Sequence, residues 1–227
     1  MGIIKRFLNQ TRKPEGILGS LMLRGMNSGH AILADWALSQ LPAIVPQKAV
    51  DLGCGGGRNV SALLQKYPQA VVDGVDYSPL SVEKAIRYNA ASIARGKCTI
   101  SVGDVSELQI APNTYDLATA FETIYFWPGL EKCFANVHRV LKNDGCFLVV
   151  CESDGNDGMG DRYEKLIEGM KVYKVNEIES ALKSAGFKDI KTIHLKGFTP
   201  NVRRNRHSTL FTHTRRHQNR QSIYMCI

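Results

Sequence analysis

No stretch of the 227 residues approaches the roughly 18–20 consecutive apolar side chains that cross a bilayer, so no membrane partner is expected. The N-terminus carries basic residues but no long apolar segment and no A-x-A-like cleavage site, and no secretory leader is expected. Position 6 is Arg6, where a myristoylation signal built on Gly2 wants Ser or Thr. The six cysteines include no C-x-x-C pair and no metal-like spacing with histidines. Reduced thiols packed as small apolar groups in a cytoplasmic protein are therefore expected, with no metal. Acids are missing altogether from residues 201–227, which hold six arginines and account for +6 of the net charge of +8. The remaining body is close to neutral, which argues against a nucleic-acid grip built into the fold. The basic segment 200–227 reads either as an RNA- or membrane-binding arm or as a poorly ordered tail, and the second is expected. Nothing in the sequence sets an oligomeric state.

What the chain does have is concentrated in Ala49 to Val60, AVDLGCGGGRNV. A short apolar run ends in an acid, followed by glycines at 53, 55, 56 and 57 and then the start of a helix. Glycine lets a backbone turn tightly and approach a ligand closely. A buried strand leading through such a turn into a helix N-terminus makes a pocket of N–H groups suited to a polar or anionic ligand. A dinucleotide fingerprint, G-x-G-x-x-G, needs its third glycine where Arg58 stands. The pattern present is D-x-G-x-G-x-G, and Asp51 at its head suits a ligand bearing an ammonium group better than a pyrophosphate.

The rest of the chain supplies a frame. Ile17 to Leu41 is amphipathic at helical spacing in two segments, read as two helices forming a lid over residues 1–47, the second burying Ile32, Leu33, Trp36 and Ala37. Short apolar runs at 70–75, 98–102, 115–120 and 146–151 join the first as buried strands, mostly separated by helical patterns. One helix is expected from Pro79 to about Arg95, capped by Ser78 and burying Val82, Ala85, Ile86, Ala90 and Ile93. Asn143 to Gly145 reads as a turn and Glu152 to Asp161 as a loop. Asn176 and Glu179 form a capping-box pattern before a further helix closed by Gly186, and Phe187 to Leu195 reads as strand six. The fold class is α/β: a Rossmann-like, doubly wound, mostly parallel sheet with helices on both faces and an atypical C-terminal end.

Asp76 lies 19 positions after Gly57 at the end of the second strand, where a carboxylate accepts both hydroxyls of a ribose. Asp51, Asp76 and Asp104 each stand at the carboxyl end of a strand, the edge on which open parallel sheets bind ligands.

With D-x-G-x-G-x-G, the acid at 76, Gly103-Asp104-Val105 and the run AFETIYFWPGLEKCFANVHRVLKNDG, the chain resembles the class I S-adenosylmethionine-dependent methyltransferases over about residues 48–195. The resemblance implies S-adenosylmethionine as cofactor. It would be held by Asp51, Gly53, Cys54, Gly55, Gly57, Asp76, Tyr77, Gly103, Asp104, Val105, Phe121 and Glu122 within a domain spanning residues 48–199. It also implies a small-molecule methyl acceptor, with His30, Tyr125 and Trp127 lining its space. Aromatic faces there tolerate a sulfonium and exclude water. Glu122 and His30 are the candidates for a base, and neither is assigned, because orientation alone supplies much of the rate in a methyl displacement. A nicotinamide-dependent oxidoreductase and a non-catalytic cofactor-binding module with an RNA-facing tail remain the alternatives.

Overall fold

In the computed structural model, the described residues are Gly16, 31–156, 159–195 and 221–226. Helix α1 (Ala31–Ser39) precedes strand β1 (Lys48–Leu52), helix α2 (Arg58–Lys66) and strand β2 (Val71–Asp76). Helices α3 (Pro79–Tyr88) and α4 (Ala90–Ala94) lead to β3 (Cys98–Val102), and β4 (Tyr115–Phe121) to α5 (Leu130–Val140) and β5 (Leu141–Cys151). Helices α6 (Met159–Leu166) and α7 (Val175–Ser184) come before β6 (Lys191–Leu195) and β7 (Gln221–Cys226). Among these residues the sheet runs β3-β2-β1-β4-β5-β7-β6, the first five strands parallel and β7 antiparallel to both its neighbours.

The alternation of side chains along each strand builds two cores, one on each face. On β5, Phe147, Val149 and Cys151 enter one cluster with Phe134, Val137, Ile178 and Leu182. Cys146, Leu148 and Val150 enter the other with Val60, Leu63 and Leu33. Phe134 meets Phe147 edge to face at 5.6 Å, within the range that favours aromatic pairs. Five cysteines, at 54, 98, 133, 146 and 151, are buried free thiols within these layers.

Several local expectations change. The helix after Ser78 breaks at Asn89, whose side-chain amide donates to the carbonyls of both Gly57 and Ala85. Ile86, within α3, and Ala90, just beyond the break, face solvent. Strand β5 begins at Leu141 and carries through the anticipated turn at 143–145, accommodated by a positive φ of 64° at Asp144 and a register shift against β4. Part of the anticipated loop at 152–161 is the start of α6. The second capping pattern lies two residues early. The Lys174 N–H donates to Glu177 at 2.8 Å, while Glu179 instead accepts from the Thr192 hydroxyl at 2.6 Å.

The ends differ most. The buried face of α1 is Leu33, Ala34, Ala37 and Leu38, one step round from the expected face, with Ile32 exposed. This helix is part of a core layer. The first anticipated lid helix and His30 lie outside the described residues, as does most of the basic tail. Its final segment does not lie free: Gln221–Cys226 pairs five residues with β5 and five with β6. The tail is thus ordered in part, because β5 otherwise leaves one ladder of N–H and C=O groups open. A chain ending at Thr199 is expected to lose several kcal/mol of stability. At ~2–4 °C per kcal/mol for this size, its melting temperature should fall by roughly 10 °C or more. Thermal melts of the two chains check this.

Candidate functional site

Parallel pairing puts the C-terminal ends of β1, β2 and β4 side by side, Asp51 opposite both Gly74 and Thr119. The chain leaving β1 turns at Gly53, whose N–H, like that of Cys54, donates to the carbonyl of Val75. Two glycines are required here. Gly53 has a φ of 77° and presses against Thr123, and Gly57 has a φ of 81°, with Ala85 Cα only 2.8 Å from where a Cβ would stand. Gly57 is also the residue from which α2 starts.

Asp76 fixes the loop from the neighbouring strand. One carboxyl oxygen accepts the Gly55 N–H and the other the Ser78 N–H, both at 2.9 Å. The Asp76 carboxyl is largely buried, and burial pushes its pKa up against the opposing pull of those two N–H groups. Next to it, Gly103 N–H donates to the Asp76 carbonyl. Asp104 caps the short 3-10 turn Val105–Glu107 by accepting from Ser106 N–H at 2.7 Å. Tyr77 and Val102 stand exposed on either side of this edge, while Val105 packs into the core.

Between the loop and the end of β4 lies a cavity lined by Gly53, Cys54, Gly55, Phe121, Glu122 and Val150, with Arg58 and Asn59 at the start of α2 and Ala31, Leu33 and Ala34 from α1. Glu122 holds a φ of 57° there. Burial first, and the nearby Glu152 second, push its pKa well up, and its carboxyl accepts from the Tyr125 hydroxyl at 3.3 Å. The Cys54 thiol is likewise raised by burial and by the charges of Asp51 and Asp76.

The anticipated residues therefore fall into separate places. Gly53, Cys54, Gly55, Phe121 and Glu122 line the cavity, and Asp76, Tyr77, Gly103 and Asp104 gather at the ends of β2 and β3. Asp51 stands beneath the loop rather than on the cavity wall. It is 1% exposed and accepts from the Thr119 hydroxyl at 2.8 Å. Tyr125 and Trp127 are core residues, Trp127 donating to Thr123 and packing edge to face on Phe134. Sequence reasoning missed Arg58 and Asn59. A cation at the first position of the helix behind the glycine loop was the available signal, and it was read only as a missing glycine.

A glycine turn between a strand and a helix, a buried acid ending the next strand, and a cavity lined in part by Glu122 and Arg58 stand together at one sheet edge. The protein class is thus a doubly wound α/β ligand-binding fold with its site at the strand ends. Comparison with known proteins narrows it. Residues 49–145 match the family described as a methyltransferase domain. A sterol 24-C-methyltransferase of Aspergillus fumigatus is 28% identical over 62% of this chain and 39% of its own. A malonyl-[acyl-carrier protein] O-methyltransferase of Geobacter sulfurreducens is 24% identical over 65% of this chain and 58% of its own. The chain spans about two fifths of the length of the first of these relatives. In fold it is similar to the methyltransferase solved with the Haloferax volcanii Trm112 activator, with a TM-score of 0.75 at 20% identity over 91% of this chain and 92% of the other. Together the family model and the relatives support a class I S-adenosylmethionine-dependent methyltransferase domain over the matched segment, and S-adenosylmethionine is the cofactor of that family.

Burial raises the Asp51 pKa to about 7, with Asp76 adding to the rise and the Thr119 hydrogen bond opposing it. An acid raised on folding binds its proton more tightly when folded, so its contribution to stability falls as pH climbs from about 4 to about 7. Asp51→Asn keeps an acceptor for Thr119 and removes the charge. Without cofactor it should match the parent near pH 4 and be more stable at pH 8, by up to about 4 kcal/mol. Melts at the two pH values check this, and a pH-independent difference contradicts it.

Proposed function

We propose that the chain transfers a methyl group from S-adenosylmethionine to a small-molecule acceptor by in-line displacement. The observation that carries this reading is the juxtaposition at one sheet edge of the Asp76-anchored glycine loop with the Glu122- and Arg58-bearing cavity. Bound there, the cofactor supplies an electrophilic methyl group on a sulfonium, which leaves as a neutral thioether.

In this reading Asp76 and Tyr77 would hold the ribose, and Val102, Gly103, Asp104 and Val105 the adenine. Gly53, Cys54, Gly55 and Gly57 would hold the amino-acid portion, with Asp51 supporting the loop beneath it. Phe121 and Glu122 would bound the reacting end. The protein's work would be orientation and exclusion of water, and the Glu122 carboxyl would contribute to holding the cationic cofactor. The acceptor space includes His30, with Tyr125 supporting Glu122 from the core side and Trp127 bracing Thr123. The working unit is the body spanning 48–199, completed by β7.

Among the described residues no helix is long and apolar enough to cross a membrane, and no cluster of three metal-ligating side chains occurs. Arg58 at the dinucleotide's third glycine position disfavours the oxidoreductase alternative. Calorimetry is expected to give a binding isotherm with S-adenosylmethionine and S-adenosylhomocysteine and none with NADH. The reverse pattern rejects the proposal. Incubation with labelled methyl donor and a metabolite panel then separates an enzyme from a binding module, and transfer to a small molecule is expected.

Asp76→Ala removes the acceptor for the ribose and releases the Gly55 N–H together. Cofactor affinity should fall about 5- to 150-fold, the equivalent of ~1–3 kcal/mol. Titration calorimetry reads the change, and unchanged affinity removes Asp76 from the site.

A further inference from the structure

The glycine turn is held at two points by the segment that follows β2. Asp76 at its start accepts the Gly55 N–H. Asn89, where α3 ends, donates from Nδ2 to the Gly57 carbonyl at 2.9 Å and to the Ala85 carbonyl at 3.0 Å. Asn89 is 3% exposed and is not one of the residues that line the cavity. Asparagine is favoured at helix ends because its side chain can cap them. Here it stands directly before α4, yet its side chain caps no N–H there, and none of the residues of α4 is buried. Neither capping nor the packing of α4 accounts for the amide, which is spent on a carbonyl 32 residues away.

Gly57 is where the turn becomes a helix. It holds a φ of 81° and a ψ of 10°, and no side chain caps α2 there. A Cβ on Gly57 would stand 2.5 Å from Asn89 Nδ2 and 2.8 Å from Ala85 Cα, so the turn sits directly on the last turn of α3. The Gly57 carbonyl accepts both from Asn89 and from the Ser61 N–H at 3.2 Å. A trans peptide carries its N–H opposite its C=O, so the bond to Asn89 also sets the direction of the Arg58 N–H. That N–H belongs to the first turn of α2, whose donors have no partner within the helix and suit a polar ligand. Arg58 and Asn59 both line the cavity.

We propose that Asn89 is a positioning residue for the cofactor, setting the affinity of the site through the Gly57 peptide without lining the cavity. This rests on the cofactor reading given above. Without the amide, the Gly57 carbonyl keeps only the Ser61 N–H, and the peptide joining 57 to 58 gains freedom to rotate. Binding then has to restore its orientation, and that ordering costs affinity.

Titration calorimetry with S-adenosylhomocysteine, on chains held well below their melting temperatures, tests this. Asn89→Ala should weaken binding about 5- to 50-fold. Ile178→Val, in the core layer on the opposite face of the sheet from Ala85, should lower the melting temperature yet change affinity less than about twofold. Asn89→Asp gives a readout that a purely structural role would not move. Its carboxylate donates nothing to the two carbonyls, whereas its protonated form regains one O–H donor. Burial raises such an acid, so its affinity relative to the unaltered chain should recover as pH falls from about 8 to about 6. Taking the ratio at each pH removes the titration of Asp51, Asp76 and Glu122, and the ratio for Asn89→Ala should stay flat. Unchanged affinity in Asn89→Ala overturns the proposal, as does a loss that Ile178→Val shares or an Asn89→Asp ratio that does not move with pH. If Asn89→Ala does not fold, the pH profile of Asn89→Asp carries the test. Failure of the unaltered chain to bind rejects the cofactor reading instead.

Discussion

The site depends on one carboxyl group, that of Asp76, which receives the backbone N–H groups of Gly55 and Ser78. These two contacts tie the turn after β1 to the turn after β2, so neither loop takes up its shape independently. The strands deliver the ends and the acid joins them. A neutral amide would offer one acceptor oxygen where the carboxyl offers two. This is a concrete reason for an acid at a largely buried position, where ionisation is costly. Asn89 performs a related task from behind, donating to the Gly57 carbonyl and so fixing the far end of the same turn.

The electrostatics of this edge are one-sided. Asp51 and Asp76 are buried, the Glu122 carboxyl is enclosed, and all three are shifted toward the protonated form by loss of hydration. A protein optimised for stability alone has little use for three such acids at one strand edge. In the function proposed above, the positive charges of the cofactor would offset what burial costs these acids. The thiol of Cys54, raised by the same acids, is kept neutral and serves as packing.

Much of this was legible in the amino-acid sequence because it is local. The glycine turn, the acids ending β1 and β2 and the five parallel strands each follow from a few consecutive residues with one stereochemical requirement. What escaped depends on partners distant in the chain. The break at Asn89 is set by the Gly57 carbonyl, 32 residues away. The cap of α7 lies at Lys174, where Glu177 accepts the backbone N–H, while Glu179 accepts from Thr192 on β6. The pattern from Gln221 looks like a poor central strand in isolation, and it becomes one because β5 and β6 both offer it an unpaired ladder. Arg58 was visible throughout, but the cavity it helps to line is assembled from four separate segments.

Helix α1 belongs at once to the interior and to the site. Leu33 and Ala34 are buried in the core layer with Leu63 and Leu148, and the same two residues form part of the cavity wall. The wall therefore cannot swing aside without exposing interior hydrocarbon. A ligand that fills the cavity presses on the packing that holds the whole layer together. Occupancy and cohesion are thereby linked: the free energy of binding is felt as resistance of α1 to local opening, and slower amide hydrogen exchange along this helix follows directly from a filled site.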